Sequence, residues 1–203
     1  MINKNLWAKA GHFNEDQFHF VYNLVQNLKP AHALEIGFCT GRSSHAILEA
    51  GKVSLKKMMS IDIDLDYNPL GREYKDKLEL HYKNNHFRVI EACSHDTLNT
   101  PFFETNFPSG IDFALVDGDH SYTGCLQDIL SVLPYVNQGG IILIDDYKSG
   151  PPNGCSINGV DQACEFISSS QPSLLRQEWN CKGKGFCIFT KKGKNENYPR
   201  TIY

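Results

Sequence analysis

The stretch DFALVDGDHSY at residues 112–122 decides the fold, because a mostly apolar run of five residues ends abruptly in a polar segment. Four other short, mostly apolar runs also end at a glycine or a polar residue: residues 33–36, 57–61, 87–92 and 141–144. Runs of this kind are typical of strands that are buried on both faces of a parallel sheet. The sequence therefore predicts five such strands, with polar residues at their carboxyl ends.

Helices are predicted where apolar residues recur at spacings of three and four. They are expected at residues 16–28, 43–49, 123–133 and 160–168, with Asn14 as the N-cap of the first. Two late strands, residues 174–179 and 186–190, are too close together for a helical crossover, so they should pair antiparallel. Together these elements predict an α/β fold with a Rossmann-like, doubly wound sheet of seven strands, mainly parallel, with an antiparallel last strand.

Two helical segments carry further expectations. In the segment 123–133 the predicted buried face consists of four residues, Leu126, Ile129, Leu130 and Leu133. The segment 67–82 is rich in charged and aromatic residues and is either an extra helix or a lid. Its pattern leaves both interpretations open.

Composition narrows the class of protein. At 203 residues we expect one domain over residues 1–203, with a helical N-terminal segment at about 1–30 and a loose C-terminal tail at about 191–203. Twenty basic and 23 acidic residues give a net charge of −3, which does not favour a nucleic-acid partner. The longest aliphatic run, residues 141–144, is too short to cross a membrane, and the seven cysteines contain no C-x-x-C pair. We therefore expect a cytoplasmic protein with reduced thiols.

In a doubly wound sheet, ligands bind at the carboxyl ends of the strands. The first strand ends in EIGFCTG, residues 35–41, where Gly37 and Gly41 allow a tight turn and a close approach to a ligand. Cys39 replaces the second glycine of the dinucleotide fingerprint, so a non-phosphorylated group is favoured over a pyrophosphate. The second strand ends at Asp62, which is placed to accept both hydroxyls of a ribose. The alternatives are a purely structural turn and an acid that caps the next turn.

Two acidic segments follow the fourth and fifth strands. Asp117 and Asp119 follow one strand, and Asp145 and Asp146 follow the other. Four carboxylates in one cleft repel each other unless a cation or shared protons compensate, and a hard divalent ion is a natural ligand for them. Magnesium or manganese is expected, with calcium as an alternative. A simple Asp-Gly turn and a solvated loop would explain the same residues.

The order of these motifs resembles the class I S-adenosylmethionine-dependent methyltransferases. Within that class, the segments DGDHSY (117–122) and DDY (145–147) resemble a small O-methyltransferase group that includes macrocin-type sugar O-methyltransferases, with catechol-type enzymes as more distant relatives. The resemblance runs from about Leu34 to Thr190. The chain departs from it in the first loop, where the family often has a further glycine at the position of Phe38 or Cys39.

The resemblance implies a set of site residues at the strand ends. The implied cofactor-binding residues are Glu35, Gly37, Gly41, Asp62, Ser94, Asp96 and Asp117. The implied metal ligands are Asp117, Asp145 and Asp146. His120 falls at the position of a basic catalytic residue in catechol-type relatives, so His120 and Asp117 are the expected catalytic residues.

The predicted function is methyl transfer from S-adenosylmethionine to a hydroxyl oxygen of a small sugar or phenol-like molecule, assisted by a divalent metal. His120 would accept the proton of the acceptor. One alternative is a metal-dependent hydrolase or hydroxylase-like enzyme, which would not need Asp62 or the glycine turn. Another is a non-catalytic nucleotide-binding module, which would have no reason to keep His120 among acids. Assembly into a homo-oligomer is left open.

Overall fold

A computed structural model describes residues 13–148, 159–181 and 184–193 of the chain. Its strands are β1 (His32–Ile36), β2 (Lys57–Asp62), β3 (Phe87–Glu91), β4 (Ile111–Val116), β5 (Val136–Ile144), β6 (Leu174–Cys181) and β7 (Lys184–Lys191). They form one sheet in the order β3-β2-β1-β4-β5-β7-β6. Neighbours from β3 to β5 pair in parallel, and β7 pairs antiparallel with both β5 and β6. The predicted fold class is therefore confirmed.

The helices of the described residues are α1 (Glu15–Leu28), α2 (Arg42–Gly51), α3 (Gly71–His81), α4 (Ser94–Leu98), α5 (Phe102–Asn106), α6 (Tyr122–Val132) and α7 (Gly159–Ser170). The segment left open at 67–82 contains α3, so its main element is a helix. The short helices α4 and α5 were not predicted. None of the described helices is both long and apolar enough to span a membrane.

The first helix begins where its sequence predicts. Asn14 accepts a hydrogen bond from the backbone N–H of Gln17, and the Gln17 side chain accepts one from the backbone N–H of Asn14. This reciprocal capping box satisfies two backbone donors at the helix start. The helix ends at Lys29, which adopts a left-handed conformation with φ of 53°. The part of the predicted N-terminal segment at residues 1–12 lies outside the described residues, as does the tail at 194–203.

Apolar side chains cover both faces of the sheet, because successive strand residues point to opposite sides. In β4, Phe113 and Leu115 join the core beneath α1, α2 and α3, whereas Ala114 and Val116 join the core beneath α5, α6 and α7. The strand order reverses between β1 and β4, and ligands of doubly wound folds bind at such a switch point. The ends of these two strands therefore define the place to look for a site.

The buried face of α6 differs from the prediction. Ile129 is buried as expected, but Leu130 is 40% exposed, and Cys125 and Val132 complete the inward face. The same face also carries a polar residue, Asp128, which is fully buried. The apolar pattern alone could not reveal that a carboxylate occupies the inner side of this helix.

Candidate functional site

The turn between β1 and α2 needs glycine at both predicted positions. Gly37 and Gly41 have φ of 92° and 71°, a backbone conformation that residues with a Cβ rarely adopt. A Cβ on Gly37 would lie 2.0 Å from the carbonyl oxygen of Asp117, and one on Gly41 would lie 2.6 Å from the ring of Phe38. The turn therefore packs directly against the end of β4.

Asp62 fastens this turn from the end of β2. Its Oδ2 accepts hydrogen bonds from the backbone N–H groups of Phe38 (2.7 Å) and Cys39 (2.8 Å), and its Oδ1 accepts one from Asp64 (2.9 Å). A carboxylate has about four acceptor sites, so these bonds leave room for about one further donor. The sequence predicts that Asp62 accepts hydrogen bonds from both ribose hydroxyls. For that, one acceptor site of its carboxylate would have to be shared between a ribose hydroxyl and a backbone N–H group.

Glu35 lies beneath the turn and is fully buried. Its Oε2 accepts hydrogen bonds from the hydroxyl groups of Ser44 and Ser60, and its Oε1 has no hydrogen-bond partner among the described residues. Burial raises the pKa of Glu35 to about 7, although the neighbouring serine hydroxyls oppose the shift. The structure therefore places this predicted cofactor-binding residue under the turn, where it supports the start of α2.

His120 lies between two carboxylates from different strand ends. Its Nε2 is 3.3 Å from Oδ1 of Asp117, which follows β4, and its Nδ1 is 3.3 Å from Oδ2 of Asp146, which follows β5. The imidazole is 46% exposed, so a ligand can reach it. One ligand atom from each of the three residues lies within 4.8 Å of the others, as a metal site requires. We call these three residues the acidic cluster.

The other two predicted carboxylates make different contacts. Asp145 is buried, and its Oδ1 accepts hydrogen bonds from Gln17 Nε2 (2.7 Å) and from the backbone N–H of Asp146 (2.8 Å). Asp119 accepts hydrogen bonds from the backbone and hydroxyl groups of Ser121, next to the start of α6. The structure thus brings together two of the three predicted metal ligands, Asp117 and Asp146. His120 joins them, whereas Oδ1 of Asp145 accepts a hydrogen bond from Gln17 of α1.

The segment after β5 is anchored to the far strands of the sheet. The backbone N–H of Tyr147 donates to the carbonyl oxygen of Gly185 (3.1 Å), and the buried Tyr147 hydroxyl donates to Glu178 (3.0 Å). The backbone N–H of Lys148 donates to the carboxylate of Asp161 (2.7 Å). These contacts fix the position of Asp146 just before them, even though Asp146 itself has a left-handed φ of 56°.

Ser94 and its neighbours surround a buried acid that the sequence analysis missed. The Ser94 hydroxyl donates to Oδ1 of Asp128 (2.8 Å), and His95 Nε2 lies 3.3 Å from the same oxygen. Burial raises the pKa of Asp128, and its Oδ2 has no partner among the described residues. Asp96 is exposed in the first turn of α4. The signal available in the sequence was a lone acid within the otherwise apolar and neutral segment of α6.

A glycine turn after β1, an acid at the end of β2 and an acidic cluster after β4 and β5 lie at the carboxyl ends of the strands, where doubly wound folds bind their ligands. Residues 34–147 match the family model of a methyltransferase domain, which is more than half of the chain. The chain therefore belongs to this methyltransferase family. This confirms the resemblance seen in the sequence and favours an enzyme over a non-catalytic binding module.

Other proteins resemble this chain in sequence or in fold. An uncharacterized protein of Acanthamoeba polyphaga mimivirus is 29% identical over 155 residues, which are 72% of this chain and 65% of that protein. The chain thus spans less than two thirds of that relative. The O-methyltransferase of Bacillus cereus, solved with S-adenosylhomocysteine, has a TM-score of 0.70 at 18% identity, covering 92% of this chain and 85% of that one. The O-methyltransferase TomG of Streptomyces achromogenes, solved with S-adenosylmethionine, has a TM-score of 0.68 at 16% identity, covering 89% and 81%. At these identities the structural likeness concerns the fold.

Proposed function

We propose that this methyltransferase transfers the methyl group of S-adenosylmethionine to a hydroxyl oxygen of a small sugar or phenol-like molecule. One observation carries the proposal: Asp117 contacts both the glycine turn and His120. Its main chain packs against Gly37 of the glycine turn, and its side chain faces His120. A cofactor held by the turn would therefore present its methyl group beside the acidic cluster.

The chemistry of the cofactor matches the polar groups at the strand ends. S-adenosylmethionine carries a sulfonium and an ammonium group, and nearby carboxylates stabilise such cations. Asp62 would accept a hydrogen bond from one ribose hydroxyl with its remaining acceptor capacity. Ser94 and His95, held by Asp128, would lie farther along the same crevice, on the side of the adenine.

His120 is the proposed general base. Methyl transfer is an in-line displacement, so the protein mainly positions the acceptor oxygen, the methyl carbon and the sulfur. A ring nitrogen of His120 would take the proton from the acceptor hydroxyl as the oxygen–carbon bond forms and the carbon–sulfur bond breaks, which leaves neutral S-adenosylhomocysteine. The carboxylates of Asp117 and Asp146, each 3.3 Å from a ring nitrogen, would stabilise the resulting imidazolium.

A divalent metal fits the same residues. Two carboxylate oxygens and one imidazole nitrogen form the donor set, which suits manganese better than calcium because calcium prefers oxygen ligands only. Asp117 and Asp146 would hold the ion, with His120 as a third ligand. A bound divalent cation would lower the pKa of the acceptor hydroxyl. A ring nitrogen that ligates the ion cannot also accept the proton, so base and ligand are alternative roles for His120.

The first test is binding of the cofactor product. S-adenosylhomocysteine at one hundred times its dissociation constant should stabilise the fold by about 2.7 kcal/mol, which is visible as a raised melting temperature. NAD and ATP at the same concentration should produce no comparable shift. The absence of any shift at millimolar S-adenosylhomocysteine would refute the cofactor assignment.

The second test concerns the acceptor and the metal. The chain is incubated with labelled S-adenosylmethionine and a panel of catechols and sugars, before and after exhaustive chelation and with manganese or magnesium added back. Recovery of activity with the ion, lost in Asp146→Ala, supports the metal site. Full activity after chelation leaves His120 as the activator of the acceptor and removes the metal from the mechanism.

A further inference from the structure

A side chain of the first helix reaches the acidic segment after β5. Gln17 is fully buried, and its Nε2 donates to Oδ1 of Asp145 over 2.7 Å, although 128 residues separate them in the chain. Helix α1 lies outside the residues 34–147 that match the methyltransferase family. The contact therefore ties an element outside the family core to the site.

The orientation of the Gln17 amide is determined by the helix cap. Its Oε1 accepts a hydrogen bond from the backbone N–H of Asn14 (3.0 Å). An amide offers an acceptor on the oxygen side and donors on the nitrogen side, so the amide group must direct Nε2 toward Asp145. The backbone N–H of Asn14 thus holds a buried donor against a buried carboxylate, which is one of the stronger kinds of hydrogen bond.

Asp145 connects Gln17 to the acidic cluster. The same Oδ1 atom accepts the backbone N–H of Asp146 (2.8 Å). Asp146 has a φ of 56°, which is uncommon for a residue other than glycine and depends on local hydrogen bonds. In that conformation its Oδ2 lies 3.3 Å from Nδ1 of His120. A continuous chain of contacts therefore runs from α1 to the imidazole.

We propose that Gln17 is a positioning residue for methyl transfer: through Asp145 it sets the backbone of Asp146 and so the placement of His120. The expected effect on kcat rests on the proposed function, whereas the expected effect on the position of His120 does not. Among the described residues, the side-chain hydrogen bonds of Gln17 go to Asn14 and Asp145 and not to the glycine turn or Asp62. Its loss should therefore affect the acceptor side of the site and leave cofactor binding intact.

The test compares two variants of α1. Gln17→Met has a similar size but no donor, and it should lower kcat by about 10- to 100-fold, since small misplacements of reacting groups have effects of that order. The dissociation constant of S-adenosylhomocysteine and the KM of the acceptor should stay within about twofold of the parent. Asn14→Ala removes the cap acceptor but keeps the backbone N–H that orients the Gln17 amide, so it should lower the melting temperature and keep kcat.

A second measurement does not depend on catalysis. The ring resonances of His120, assigned with His120→Ala, should shift in the NMR spectrum of Gln17→Met and not in that of Asn14→Ala. Such a shift in a chain that transfers no methyl group would support the positioning role while the proposed function fails. Unchanged His120 resonances in Gln17→Met, or an equal loss of kcat in Asn14→Ala, would overturn the proposal. If Gln17→Met does not fold, the shorter amide of Gln17→Asn is measured in the same way, with the same outcomes.

Discussion

The two halves of the crevice are built in different ways. The proposed cofactor half consists of the glycine turn and Asp62, and its contacts join backbone groups of Phe38 and Cys39 to a carboxylate 24 and 23 residues away. The acceptor half consists of the acidic cluster, whose members follow β4 and β5 and whose support comes from Gln17 on α1. Both halves join segments over similar separations in the chain, since His120 and Asp146 are 26 residues apart, but the second half is also held by Gln17, which lies 128 residues from Asp145.

This difference suggests that the two halves respond separately to mutation. Changes in the turn should act on cofactor affinity, and changes in the acidic cluster should act on turnover. Asp117 is the exception, because its main chain belongs to the turn and its side chain to the cluster. The predictions below test this separation, beginning with the largest expected effect.

Gly37→Ala should abolish detectable binding of S-adenosylhomocysteine. The added Cβ would lie 2.0 Å from the carbonyl oxygen of Asp117, and that backbone cannot yield without moving the end of β4. Gly139→Ala is the matched control, because Gly139 also has a positive φ of 79° but no atom within 4 Å of the added Cβ. The control should cost only about 1–2 kcal/mol of stability and keep binding. Equal calorimetric affinities for both variants would contradict the proposed role of the turn.

His120→Ala should lower kcat by about 10²- to 10⁴-fold while the affinity for S-adenosylhomocysteine is retained. The loss should be smaller for acceptors whose hydroxyl group is already acidic, because they need less help in losing the proton. Asp119→Asn, which alters a carboxylate beside the cluster, serves as the control and should keep most of the activity. A rate for His120→Ala equal to that of the parent, measured where chemistry is limiting, would exclude His120 from the mechanism.

Asp62→Ala should weaken cofactor binding by about 1.5–3 kcal/mol for each charge-assisted hydrogen bond that is lost. Part of that effect comes from the turn, since Phe38 and Cys39 lose their acceptor. The neighbouring variant Asp64→Ala keeps these bonds and should bind nearly as well as the parent. Calorimetry decides the matter, and parental affinity in Asp62→Ala would place ribose recognition elsewhere.

The buried Glu35 should make stability depend on pH. Burial raises the pKa of Glu35 to about 7, well above the usual range of a glutamate, so folding favours the protonated form. Its contribution is fully present below about pH 4.5 and is lost as the pH rises through about 7, by an amount on the order of 3 kcal/mol. Urea unfolding at pH 5, 6 and 7 should show a change in stability with pH that is more negative in the parent than in Glu35→Gln. Parallel curves would show that Glu35 does not titrate in this range.

The buried His45 on α2 makes stability change with pH in the opposite direction. Burial lowers the pKa of His45 to about 4, so its contribution is present above about pH 6.5 and is lost as the pH falls toward 4. Between about pH 4.5 and 6.5 the two groups therefore offset each other in the parent. In Glu35→Gln only the His45 contribution remains, so the free energy of unfolding of this variant should rise with pH across this window.

Local chemistry was sufficient to predict most of the fold. Asn14 caps α1 because its side chain is adjacent to the backbone N–H groups it satisfies, and the apolar runs became strands because no other element buries both faces of so short a segment. The segment containing α3 stayed undecided because few of its residues, among them Tyr74 and Leu78, face the core. A weak apolar face does not distinguish a surface helix from a lid.

The sequence by itself also located the glycine turn and Asp62, the proposed cofactor half of the site, since glycines and an acid at strand ends make their contacts with nearby backbone. Only the tertiary structure decided which acids meet. It placed His120 between Asp117 and Asp146, engaged Asp145 with Gln17, and buried Asp128 beneath Ser94. The physical reason is that the direction of a side chain depends on packing between elements far apart in the chain. Spacing along the sequence carries no record of that packing.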